Sequence, residues 1–471
     1  MRNGVQCALH NNTEARVTQP TRVAERTAQP WLERVGLHRP ELRAWALYDW
    51  ANSAFFTTVV TALFPLFYKQ VAADGRSDVL ESYSSLTMWS MLAIASVGPL
   101  LGALADTTGR KKVFLGAFVA LGVLATAAMW FIERGEWRFA SWLFVAGNVG
   151  VAGSFVFYDS LLPSVARAHE LDRVSTTAYA LGYLGGGLLL ALNVTWILKP
   201  EWFGMSAGTT VPTRLAFVSV ALWWAAFSIP LFRRVPEPPQ RFERDEGPGG
   251  RPGERAFGHA VRDALRRLGE TAREVRRYRQ VALLLAAMLL YNDGINTIIR
   301  IATLYGSELG ISNGQLITAV LLVQFIGFPC ALGFGRLADR FGAKRTVMLG
   351  LGVYVGITLL AWRMTETYEF YLLAIGVGLV MGGTQALTRS LFASMVPAHK
   401  SGEFFGLFGV LERFSAVLGP LCFGLAIEWS GSRRAGVLPL IGFFVLGALL
   451  LACVDVEAGR RAARDSEVSN R

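Results

Sequence analysis

Apolar stretches of about twenty residues alternate with short polar blocks along most of the chain. They run over 45–68, 86–105, 113–132, 138–161, 175–198 and 213–232, and then over 281–304, 315–335, 346–364, 370–395, 404–428 and 435–454. A hydrocarbon core about 30 Å thick takes about 20 residues of helix to cross. Lipid offers no partner to open backbone groups, so each stretch is predicted as a spanning helix. The pattern gives an all-α membrane protein of twelve transmembrane helices in two six-helix bundles. The expected organisation is a disordered cytoplasmic tail at 1–40, a bundle at 41–234, a cytoplasmic linker at 235–280, a second bundle at 281–455 and a tail at 456–471. A short helix is expected near Trp31–Val35. In the linker, Phe257, Val261, Leu265, Leu268 and Val275 recur at helical spacing among arginines. They predict an amphipathic helix that either lies on an anionic leaflet or bridges the bundles in solvent.

Composition agrees: 52% of the 471 residues are hydrophobic and 17% charged. The net charge of +11 could point to nucleic acid, but the basic residues sit in blocks between apolar stretches, which is membrane topology and not a binding face. The loops after odd-numbered stretches hold only Lys69, Arg76, Arg134, Arg138, Lys199, Arg214, Arg300, Arg363, Arg433 and Arg434; the rest of the 46 basic residues lie on the other side. The positive-inside rule then puts both termini and the linker in the cytoplasm, in a multi-pass protein of the cell inner membrane. No cleavable leader is visible.

A polar turn occurs twice. Gly102-x-Leu104-Ala105-Asp106-x-x-Gly109-Arg110-Lys111 returns half a chain later as Gly335-x-Leu337-Ala338-Asp339-x-x-Gly342-Ala343-Lys344. Gly102 and Gly335 allow close helix approach, Gly109 and Gly342 a tight turn, and Asp106 and Asp339 stand where a carboxylate can meet a helix N-terminus or a basic residue. Ser160-Leu-Leu-Pro163 and Ser394-Met-Val-Pro397 repeat at almost the same offset. The duplicated turn between twelve helices resembles the signature loop of the major facilitator superfamily. That resemblance implies a cytoplasmic latch carried by Asp106, Arg110 and Asp339; the second copy has Ala343 where the first has Arg110. The other reading of these residues is topology determinants only. The opening of the first span, Trp45-Ala-Leu-Tyr48-Asp49-Trp50-Ala51-Asn52-Ser53, together with Phe157-Tyr158-Asp159-Ser160, Tyr291-Asn-Asp293-Gly294 and Gly382-Gly-Thr-Gln385-Ala-Leu-Thr-Arg389-Ser390, resembles the vacuolar effluxer subfamily related to the autophagy-associated amino-acid permease.

Ionisable groups at membrane depth are costly unless they face a cavity or a partner. Asp49-x-x-Asn52-Ser53 in the first span and Asp293-x-x-Asn296-Thr297 in the seventh place acid and amide one turn apart on one face. These two spans line the central cavity in the superfamily, so the resemblance implies that the four groups converge. Asp293 is expected in the cavity; Asp49, nearer a helix end, belongs either to the cavity or to an inner gate. Arg413, beside Glu412, is the expected partner of Asp293 or of an anionic substrate group, or else neutralises Glu412. Arg300 either gates the outer end or snorkels. Gln324, Gln385, Tyr158, Asp159, Tyr179 and Tyr183 are further cavity candidates, with Asp159 alternatively a latch and Arg389 one turn after Gln385 and placed to meet it.

No phosphate-binding loop, zinc-protease or nucleophile-elbow motif is present, and Cys7, Cys330, Cys422 and Cys453 form no metal-ligand spacing. No catalytic residue, metal or cofactor is expected, and the chain is not expected to be an enzyme. The resulting expectation is a monomeric secondary active transporter. It moves a small polar solute by alternating access with proton coupling; amino acids or related metabolites and export are suggested by the resemblance alone. Its partners are the solute, the lipid bilayer and the proton, with no nucleic acid. A proton-coupled efflux pump for hydrophobic cations and a non-transporting scaffold or sensor are the alternatives.

Overall fold

The computed structural model describes residues 30–74, 100–106, 108–206, 208–237, 278–308, 312–364, 366–415, 418–431 and 433–469. All regular structure among them is helical. A short α1 (Pro30–Arg34) leads into α2 (Pro40–Ala72). Then come α3 (Lys111–Ala128), α4 (Trp137–Val165), α5 (Leu171–Leu198) and α6 (Val211–Arg234). The second half contains α7 (Arg279–Glu308), α8 (Asn313–Phe341), α9 (Ala343–Arg363) and α10 (Thr367–Met395). It continues with α11 (Ser401–Phe414), α12 (Leu418–Ser430), α13 (Leu438–Ala452) and α14 (Val456–Ser469).

Ten helices among the described residues are long and apolar enough to cross a membrane. Two of the twelve expected stretches account for the difference. Most of 86–105 lies outside the described residues, with 100–106 helical. The stretch 404–428 is broken into α11 and α12. Large apolar side chains such as Leu222, Leu446 and Leu449 are exposed on the outer faces of α6 and α13, as lipid-facing positions require. The expected linker helix at 257–275 and the tail at 1–29 lie outside the described residues. The final segment, expected as a tail, forms α14 against the end of α10, where Arg460 Nε donates to Ser394 Oγ at 3.3 Å and Glu467 accepts from the Ala398 N–H at 3.0 Å.

The first span begins at Pro40 and not near 45, because Pro at the first helical position loses no hydrogen bond. Asp49 is therefore well inside the helix. Beyond Ala54, α2 widens into π-type winding over Phe55–Leu63 and again over Tyr68–Ala72, a deviation common at functional sites. Glycines of α5 let it lie flush on α2: a Cβ at Gly185 would come 2.7 Å from the Trp50 ring and one at Gly186 2.7 Å from Thr57 Oγ1. The next residue, Gly187, faces Gln324 of α8, so α5 is the seam along which the two halves meet.

Candidate functional site

The end of the bundle that carries both Gly-x-Leu-Ala-Asp turns is closed between the halves by two layers of polar contacts. The outer layer is the turns themselves. Gly109 and Gly342 hold φ of +62° and +84°, a region that favours glycine. Asp106 pairs with Lys111 at 2.8 Å and accepts from the Glu403 N–H in the first turn of α11 at 2.9 Å. Lys111 also donates to Ser401 Oγ at 2.7 Å. A carboxylate on the exposed N–H groups of a helix start is well placed against the helix dipole. Gly102 permits this docking, since a Cβ there would run into the Gly402 carbonyl. Arg110 is exposed at the start of α3, and it is its neighbour Lys111 that reaches Asp106. In the second turn, Asp339 takes both contacts from Arg173 Nε, at 2.8 and 3.0 Å, at the start of α5. Gly335 there lies against Thr176. Each turn thus grips the beginning of a helix in the opposite half.

The two grips differ in burial. Asp106 and Lys111 are 2% and 4% exposed, Asp339 and Arg173 33% and 43%. Exposed pairs contribute about 0–1 kcal/mol, whereas taking one partner from a buried pair costs about 3 kcal/mol or more. Asp106→Asn should therefore lower the melting temperature of the purified protein clearly more than Asp339→Asn. Equal effects would show that the first turn is no more tightly held than the second.

Beside the second turn, Glu170 at the start of α5 takes Arg39 Nη2 at 2.6 Å and the Arg167 N–H at 2.9 Å. Burial opposes its charge, but the backbone donor and the Arg39 guanidinium outweigh it and hold the carboxyl below its ordinary range.

The inner layer is built around Arg389 of α10, 2% exposed. Its Nη2 lies 3.0 Å from Asp49 Oδ2 on α2, and its Nη1 3.1 Å from Asp159 Oδ1 on α4. Nε donates to Ser175 Oγ on α5 at 2.9 Å, and Nη2 to the Ser175 carbonyl at 3.2 Å. The guanidinium also stands over three rings, 4.5 Å from the centroid of Tyr179, 4.9 Å from Trp45 and 5.6 Å from Tyr158. Trp45 stacks on Tyr158 at 4.5 Å and its Nε1 donates to the Tyr158 carbonyl at 3.0 Å, so the rings are fixed. The next residue, Ser390, donates from Oγ to Asp172 Oδ1 of α5 at 2.6 Å. A buried guanidinium is tolerated only when its charge and donors are matched, and here two carboxylates, a hydroxyl, a carbonyl and three π-faces match it.

The remaining expected residues are dispersed around this core. Asp293 is buried on α7 with Oδ1 accepting the Gly419 N–H of α12 at 2.9 Å. It therefore caps the second half of the broken span. Asn296 Nδ2 donates to Ser415 Oγ at 3.3 Å, at the same break. Gln324 Nε2 donates to Thr57 Oγ1 on the π-wound part of α2, joining the halves further along the seam. Asn52 is buried, with no hydrogen-bond partner for Nδ2 among the described residues. Gln385 is half-buried one turn before Arg389. Tyr183 packs on Gly327 and Gly382. The side chains of Arg413 and Arg300 lie outside the described residues. Asp49 and Asp293 therefore serve two centres, one at the inner layer and one at the helix break. Arg389, Asp159, Ser175 and Trp45 make the first centre. A sequence signal for it existed: Arg389 is an arginine inside an apolar helix, a group that must be partnered.

The fold and its relatives agree. A family model described as "Vacuole effluxer Atg22 like" matches residues 77–464. The MFS-type transporter YxiO of Bacillus subtilis, named as uncharacterized, is 35% identical over 417 residues, which is 88% of this chain and 94% of that protein. Autophagy-related protein 22 of Yarrowia lipolytica is 29% identical over 321 residues, 63% of this chain and 52% of its own length. Among solved structures, the human organic anion transporter MFSD10 superposes with a TM-score of 0.64 at 18% identity, covering 90% of this chain and all of that one. The proton:xylose symporter XylE superposes with a TM-score of 0.61 at 14% identity, covering 90% and 96%. Likeness at such identities is likeness of fold. The chain belongs to the Atg22-like vacuole effluxer family of the major facilitator superfamily, whose members are multi-pass membrane transporters of small molecules and not enzymes.

Proposed function

We propose that this protein is a proton-coupled secondary transporter that exports a small polar solute across the cell inner membrane by alternating access. It works as a monomer with both termini and the linker in the cytoplasm. The distribution of basic residues supports that orientation, which makes the closed, turn-bearing end the cytoplasmic one. The observation that carries the reading is Arg389, a buried charge of one half held by two carboxylates of the other. Such a contact must break when the halves rock apart, so it acts as an inner gate. Two acid groups share one guanidinium, so either carboxyl can take a proton while Arg389 keeps a partner. That arrangement supports proton coupling through Asp49 and Asp159. Tyr158, Asn52, Gln324 and Gln385 lie along the proposed path, and Asp293, Asn296 and Arg413 belong to the region of the helix break. Amino acids or related metabolites are the first solutes to examine, on the strength of the family.

The test is flux in proteoliposomes of the purified protein, with amino acids, dipeptides, sugars and lipophilic cations as cargo and an imposed pH gradient. At least one solute should move, faster with the gradient and no longer so when an ionophore collapses it. Movement only of lipophilic cations would make the protein a hydrophobic-cation pump. Flux of nothing in the panel would overturn the transport reading in favour of a scaffold or sensor.

A further inference from the structure

The partners of Arg389 are distributed unevenly. Both carboxylates, the Ser175 hydroxyl and all three rings belong to α2, α4 and α5 of the first half, and only the guanidinium comes from the second. The first half thus owns a complete box for a cation: two anionic walls, an acceptor hydroxyl and a carbonyl, and π-faces from Trp45, Tyr158 and Tyr179. Trp45 and Tyr158 are fully buried, and Tyr179 is half-buried. When the halves separate at this end, Arg389 leaves with α10 and the box stays behind with its charge uncompensated. A buried pair of carboxylates does not remain empty without cost.

We infer that this box is the receptor for a cationic group of the transported solute, with Arg389 filling it as a tethered stand-in while the inner end is closed. The chemistry specifies a flat, delocalised nitrogen cation, a guanidinium or amidinium, ahead of a compact ammonium. Flat cations meet two carboxylates edge-on and rings face-on at once. The solute then competes with Arg389 for one site, and its binding favours the inward-open state by displacing the contact that holds the closed one. Passage of the solute from the box into the interior of the bundle lets Arg389 return and reclose the gate behind it. This rests on the transporter reading above and adds the class of substrate.

The experiment compares wild type with Arg389→Ala in detergent, using millimolar agmatine and methylguanidinium as probes and N,N′-dimethylurea as the neutral control of similar shape. The vacated box should bind the cations. The variant should gain several degrees of melting temperature with them and nothing with the urea, and Asp159→Asn in the same background should remove most of the gain. An Arg389→Ala protein that ignores the cations, or answers the urea equally, overturns the inference. Arg389→Gln takes the same test if the alanine variant does not fold. Wild type supplies a measurement free of variants: agmatine should speed hydrogen exchange in 172–177 and 386–391, the two sides of the gate, and unchanged exchange there also overturns it. The two readings fail separately. Flux of some neutral solute with no response to guanidinium compounds keeps the transporter and removes the cation box. Cation binding without flux of any solute does the reverse.

Discussion

Arg389→Gln is expected to cost more stability than any other single polar substitution in the described bundle. Removing one partner of a buried ion pair costs about 3–5 kcal/mol, because the other charge is left without compensation. Here the loss leaves two carboxylates, Asp49 and Asp159, both largely buried, and takes the cation from three rings at once. The melting temperature of the purified protein should fall sharply. Adding Asp49→Asn and Asp159→Asn to the same chain should restore part of it, since no uncompensated charge is then left buried. Each Asp→Asn alone in wild type should cost less than Arg389→Gln, because the second carboxylate still holds the guanidinium. The interaction energy between the substitutions, read from a double-mutant cycle, should be large for residues in direct contact. If the Arg389→Gln protein melts with wild type, or if the three substitutions simply add, Arg389 is not the keystone of the inner layer. Transport should be lost in both the single and the triple variant, because a gate without charge cannot alternate between a paired and an unpaired state.

Much of this architecture was legible in the chain because hydropathy at membrane depth is a strong physical constraint. Spanning helices must be long, apolar and internally hydrogen-bonded, so their number and order follow from the apolar runs. What the runs could not give was the internal geometry of a span. A helix end moved where a proline set it, at Pro40, and one span is divided into α11 and α12. The duplicated turns were visible as a repeat, and the choice of partner was not. Arg110 and Lys111 are adjacent in a basic run, and only the direction of the α3 axis decides that Lys111 faces inward. The inner layer was half visible. Asp49, Asp159, Tyr158 and Arg389 all stand out as polar groups in apolar helices, but they lie on three different helices. Pairing Asp49 with its seventh-span counterpart Asp293 follows the internal repeat, yet the repeat relates positions and not contacts. Asp293 meets a helix break that has no counterpart in the first half among the described residues, and Asp49 meets Arg389, which it shares with Asp159. The functional asymmetry therefore arises where the two copies have diverged, and internal symmetry alone could not have found it.

Gly102→Ala is expected to impair transport with little loss of folding stability, and it tests whether the outer layer is specific to one state. An added Cβ at Gly102 would collide with the Gly402 carbonyl, and the reciprocal Cβ at Gly402 would come 2.6 Å from the Gly102 carbonyl oxygen. Both obstacles are backbone, so no side chain can turn aside. Overpacking of this kind costs about 1–3 kcal/mol. The contact joins the helical segment 100–106 to α11 of the other half, so the cost falls on the closed arrangement and vanishes once the halves part. A penalty confined to one of two states shifts their ratio by roughly 5- to 150-fold for 1–3 kcal/mol. The inner end should then stand open for most molecules, and a cycle that needs reclosure should slow by about tenfold or more. Accessibility reads this directly. With the four native cysteines replaced, Thr176→Cys, packed against Gly335 in the closed end, should react with a polar maleimide much faster in the Gly102→Ala protein. Gly352→Ala is the control, since nothing lies within 4 Å of the Cβ it would add on α9. The melting temperature should change little in either variant, because the open state escapes the clash. Unchanged labelling together with normal flux would mean that the close approach at Gly102 persists through the cycle, and the outer layer would then be a fixed joint and no gate.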